Sequence, residues 1–126
     1  MLDAGGIQAK TARNSSQAFP SVIMEVYIDK EVHEELVSFY QAALKKHETL
    51  DEATVVNKVN RLYDALDTLS ETAEIFPRAR LNEDWISKGY REFFCEDFHF
   101  AYQIYELDDG ERIVRVHDAI HSMLYR

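Results

Sequence analysis

At 126 residues, with 46% apolar and 12% aromatic side chains, the chain has the size and content of one globular domain, not of a disordered polymer. A formal charge of −9 excludes binding driven by general attraction to nucleic-acid phosphates, and no apolar run approaches the roughly 18 residues that cross a bilayer. The single cysteine, Cys95, permits no internal disulfide, so the expected setting is the reducing cytoplasm, away from membranes.

The first 23 residues are rich in Gly, Ala, Ser, Asn and Gln, with no period and no secretory layout. Met24 stands directly before a strand-like run and is the expected start of the domain. Residues 1–23 are then a flexible leader or an upstream-read extension, and residues 24–126 form the domain proper.

Met24 to Ile28 is a short β-rich run ended by Asp29, a candidate N-cap. Val32, Leu36, Phe39, Tyr40, Ala43 and Leu44 follow at helical spacing and predict a helix to about His47. Thr49 and Glu52 have the form of a capping box, opening a second helix whose stripe includes Val55, Val59, Leu62, Leu66 and Leu69. It fades before Phe76-Pro77. A short link between two such helices predicts an antiparallel hairpin, with His33 and His47 facing solvent.

Three strand-like runs follow, over 90–96, 98–107 and 112–121, with Asp108-Asp109-Gly110 as a hairpin turn. Alternation sends Phe98, Phe100, Tyr102, Ile104, Val114, Val116 and Ile120 to the core, together with Tyr90 and Phe94. It places Arg91, His99, Gln103, Tyr105, Arg115, His117 and His121 on the other face. The expected fold is α+β: an N-terminal strand, an antiparallel helical hairpin, and a three-stranded antiparallel meander. One antiparallel sheet carries the helices on one face and leaves the other open, polar and partly basic.

This order of elements resembles the RelE/ParE superfamily of toxins from bacterial type II toxin–antitoxin (plasmid stabilisation) systems. The likeness is carried by Tyr90-Arg91, by Phe98-His99-Phe100-Ala101-Tyr102-Gln103-Ile104, and by the run from Ile113 to Ser122. It covers residues 24–126. The resemblance implies a cognate antitoxin as partner and one of two activities. RelE-like members cut messenger RNA on the ribosome with basic side chains and a C-terminal Tyr or His; ParE-like members block DNA gyrase. Carried over by position, the nuclease set keeps Arg91, replaces an Arg by His99, loses basic residues at Phe93 and Ala119, and keeps Tyr125.

Cleavage by the RNA's own 2′-hydroxyl needs a base, an acid and a stabiliser of the charge on phosphorus. His99 and His121 suit proton transfer near neutral pH, Arg91 and Arg115 suit a phosphate, and Tyr125 completes the candidate catalytic set. Gln103, His117, Arg78 and Arg80 are candidate binding residues, although the two arginines after Pro77 also read as a solvated connector. His117 and His121, four apart on a strand, would stand roughly 13 Å apart, so no metal site and no cofactor is expected. Trp85 reads as a packing anchor. The charge distribution is uneven, with 12 acidic against 5 basic residues over 24–75 and 10 against 7 over 76–126. With two basic positions lost, the expectation is a ParE-like toxin or one of weakened activity. A RelE-like endoribonuclease and a non-toxic binding module are the alternatives, and a homodimer stays open.

Overall fold

The computed structural model describes residues 23–47 and 49–125, so the leader expected before Met24 lies almost wholly outside the described residues. The element order is β1 (Glu25–Ile28), α1 (Lys30–Lys46), α2 (Glu52–Asp67), α3 (Leu69–Thr72), α4 (Glu83–Ser87), β2 (Arg91–Cys95), β3 (Phe98–Glu106) and β4 (Arg112–His121). The α+β class and the strand–helices–strands order are those expected.

α1 and α2 form because their apolar residues recur on one stripe; Val32, Leu36, Tyr40, Val55, Leu62 and Leu66 are all buried. The hairpin is antiparallel, since His33 near the start of α1 lies 2.6 Å from the Tyr63 hydroxyl near the end of α2. His33 therefore packs between the helices instead of facing solvent. The α2 cap also differs from the expected box: Asp51, not Thr49, accepts the Thr54 N–H at 2.7 Å. Asp29 precedes α1 but makes no side-chain cap; its carboxylate is used elsewhere.

The four strands run in the order β1-β4-β3-β2. β2, β3 and β4 form the expected antiparallel meander, but β1 pairs parallel to β4, with Val26 opposite Val114 and Ile28 opposite Val116. The sheet is therefore mixed. Period-two alternation gives a strand's faces but not its direction, and the helical crossover after β1 makes the parallel pairing accessible.

The helices cover one face and enclose Val26, Phe98, Phe100, Tyr102, Val114 and Val116. The opposite face is not open along its length. Ala101 has no bulk on that side, and the indole of Trp85 from α4 fills the space, with Ala79, Tyr90, Ile120 and Tyr125 around it. Trp85 is buried, and its Nε1–H donates to Asp118 Oδ2 at 2.9 Å, which satisfies the one polar atom that burial would orphan. Trp85 is thus the anchor the sequence predicts, seated on the face expected to be bare.

Candidate functional site

Two backbone details decide which side chains meet. Glu96 adopts φ 56° in a two-residue turn between β2 and β3, so Cys95 pairs with Phe98, Phe93 with Phe100 and Arg91 with Tyr102. Residues directly opposite share a face, so Arg91, Phe93 and Cys95 point to the helix side, while Glu92 and Phe94 point away. This inverts the predicted parity of β2. In β4, Ala101 pairs with Asp118 but Tyr102 with Val116, which makes His117 an inserted bulge residue. Beyond it the parity reverses: Ala119 and His121 turn into the helix-side core and Ile120 turns out.

The four candidate catalytic residues are therefore divided. Arg91 donates to the carbonyls of Phe76 (2.6 Å) and Glu74 (3.3 Å), clamping the segment that leads to β2. His121 is buried and stacks on Phe39, with ring centroids 4.0 Å apart. Its Nδ1 accepts the Met123 N–H at 3.1 Å, and burial holds its pKa below the ordinary histidine value. It caps the end of the sheet and faces away from His99. Phe93 and Ala119, aligned by resemblance with lost basic positions, both lie in the core.

His99 and Tyr125 do come together, around a residue that sequence reasoning missed. The imidazole and phenol stack with centroids 3.9 Å apart and planes 4° apart. His99 donates from Nδ1 to Glu92 Oε2 at 2.6 Å, and Tyr125 donates its hydroxyl to Glu92 Oε1 at 2.5 Å. An ionised carboxylate only accepts, so Nδ1 carries the proton, and Nε2 makes no protein hydrogen bond among the described residues. Burial, with the Glu92 hydrogen bond behind it, pushes the Tyr125 pKa up to about 12. Tyr125 is thus a proton-holding donor and no base near neutral pH. Beside this group runs a shallow cleft of about 250 Å³, lined by Pro77, Arg78, Arg80, Leu81, Glu92 and Phe94. Phe94, expected in the core, is 55% exposed and packs against His99.

The other end of the same face is a closed polar network. Asp29 takes the Nε–H of Arg115 on Oδ1 (2.7 Å) and sits 3.0 Å from Nδ1 of His117 on Oδ2. His117 Nε2 lies 2.7 Å from the Tyr105 hydroxyl, which also reaches Gln103 Oε1 at 3.0 Å. Tyr90 stacks on the imidazole at 4.8 Å. Arg115, His117 and Gln103 thus share a face as expected, but their partners are within the fold: Asp29 at the β1–α1 junction joins Arg115 to His117, and the Tyr105 hydroxyl joins His117 to Gln103. Arg78 donates to the Gly89 carbonyl at 3.1 Å, and Arg80 is exposed along the cleft.

Glu92 was findable. A two-residue turn at Glu96-Asp97 mirrors Phe93 onto Phe100 and leaves Glu92 facing the His99 side. The bulge at His117 leaves no comparable mark. Among the described residues, no group of three His, Cys, Asp or Glu side chains is placed to hold a metal, and no helix is long and apolar enough to cross a membrane. Burial pushes the Cys95 thiol up, which lowers its reactivity. No protein-family model matches this chain, and no curated protein matches it.

Proposed function

We propose that residues 24–126 form a toxin-like module of the RelE/ParE type that acts by binding a large partner such as DNA gyrase, and that a cognate antitoxin restrains it. The observation that carries this reading is the division of the candidate cleavage set. Arg91 and His121 lie on the helix side, away from His99, so only His99 and Tyr125 remain together, both tied to an acidic residue. A carboxylate at the centre repels the phosphate that a nuclease must grip. The exposed Phe94 and Leu81 next to Arg78 and Arg80 offer apolar area with flanking charge, which suits a protein contact better than a nucleic-acid one. The four-residue edge strand β1 offers a place for strand addition by an antitoxin tail.

One observation favours the ribonuclease alternative. Glu92 orients His99, and Nε2 has no hydrogen bond among the described residues, which is the arrangement of a carboxylate-supported general base. Induced expression in a bacterium, with messenger RNA followed by primer extension and gyrase by plasmid supercoiling, separates the two. The binding reading expects growth arrest with intact messages, unchanged by His99→Ala or Tyr125→Phe and relieved by the antitoxin gene if one lies next door. Message cuts that vanish in His99→Ala would establish the nuclease instead. Unaltered growth with no binding to gyrase would leave only the non-toxic module.

A further inference from the structure

A second concavity lies where β3 runs on past the end of β2. Arg91 pairs with Tyr102, so Gln103 to Glu106 extend beyond the neighbouring strand, and the chain before β2 bends away. The notch so formed has a volume of about 280 Å³, and its lining includes Arg78, Arg91 and Arg112 together with Gln103, Glu74 and Glu106. Three arginines line it in a chain that is acidic overall.

Their partners matter more than their number. Arg78 is held by the Gly89 carbonyl, and Arg91 by the carbonyls of Phe76 and Glu74. Carbonyls fix a guanidinium without cancelling its charge. Among the described residues, only Arg112 meets a carboxylate in the notch, Glu74 at 2.7 Å. With three cations against two acids, the notch keeps one positive charge, and each guanidinium has five N–H donors of which these bonds use only some. Gly89 has φ +73° and a bare α-carbon: a side chain there would meet Arg78 Nη1 at 3.3 Å. The backbone thus holds Arg78 in place before any ligand arrives, which reduces the ordering a ligand would require.

We propose that this notch binds one phosphoryl group of a small phosphate-bearing molecule. A phosphoryl group has terminal oxygens enough to take a donor from each of the three forks, where a carboxylate has two. A nucleic-acid strand is disfavoured, because its further phosphates would face Glu74, Glu106 and the acidic surface beyond. Arg78 also borders the cleft beside Glu92 and Phe94, but neither His99 nor Tyr125 lines the notch, so a failed phosphate titration leaves the growth and message readouts of the toxin reading untouched, and the converse holds.

The experiment is a titration of the full chain with inorganic phosphate at constant ionic strength, followed by two-dimensional amide NMR. Acetate and a ten-nucleotide single strand are run in parallel. Saturable shifts at Gly89, Gln103 and Ile104 in the low millimolar range are expected, weakened about tenfold by Arg78→Gln and by Arg112→Gln. Both residues are exposed, and amide shifts of each variant that match the parent away from the notch check that the fold is kept. Shifts that never saturate, or an affinity unchanged in both variants, would overturn the site. Acetate binding equally well would overturn the preference for phosphoryl, and tighter binding of the oligonucleotide at these amides would overturn the small ligand.

Discussion

The two ends of the face opposite the helices use the same residue types and finish differently. At one end His99 has one nitrogen held by Glu92 and the other without a hydrogen bond among the described residues, beside a cleft and an exposed Phe94. At the other, His117 has both nitrogens engaged, by Asp29 and by Tyr105, and a tyrosine stacked on its ring. The difference teaches that a histidine's place on a polar face does not make it chemically available. Availability depends on how many of its nitrogens the fold has already used. By that measure the His117 end locks β1 and α1 to β4, and the His99 end is where an external group can be met.

The largest expected effect comes from removing what supports the His99 end. Trp85→Ala empties the space over Ala101, leaves Asp118 without its indole donor, and takes away a ring packed 5.5 Å from Tyr125. A loss of about 3–5 kcal/mol is expected, as for other buried large-to-alanine changes. Urea unfolding measures it. A loss below about 1 kcal/mol would mean that α4 contributes little to the second core.

Next in size is the closed end. Asp29→Ala leaves Arg115 and His117 without their shared acceptor. Asp29 is 17% exposed, so water recovers part of the loss, and about 2 kcal/mol is expected. Asp29→Asn should lose less, since its amide oxygen still accepts one of the two hydrogen bonds. Thermal unfolding of the pair against the parent gives the ranking. Equal losses would show that the carboxylate charge, and not the geometry, holds the network.

Much of this was legible in the sequence, and the parts that were not have physical reasons. The helix spans follow from period 3.6 and the spans of the central strands β3 and β4 from period two, because both periods report burial directly. Trp85 was recognisable as an anchor, since a lone indole rarely stays in water. The parallel pairing of β1 was hidden, because alternation is the same in either direction. The parity of β2 depended on a two-residue turn, and one residue more in that loop would have exchanged Arg91 with Glu92. The bulge at His117 moved His121 from the predicted site into the core, and one inserted residue is invisible to a count of alternation.

The smallest effect tests the open end most directly. Tyr125→Phe keeps the ring over His99 and removes only the hydroxyl that Glu92 accepts, so about 1 kcal/mol is expected at neutral pH. Its pH dependence carries the sharper information. Tyr125 holds its proton to about 12 in the folded chain, above the ordinary value of 10, so its contribution is complete below pH 10 and is lost as pH rises towards 12. Tyr27 and Tyr102 are also pushed up to about 12 and lose their contributions over the same window, so the variant should show a shallower alkaline decline and not a flat one. The acid limb should be unchanged. His121 and His33 are held below their ordinary value by burial, so their contributions are present above pH 6.5 and lost as pH falls, in parent and variant alike. Denaturant unfolding from pH 5 to 11.5 reads both limbs. An alkaline limb identical in the two proteins would show that Glu92 does not hold the Tyr125 proton, and the His99 end would then lack the arrangement that distinguishes it from the His117 end.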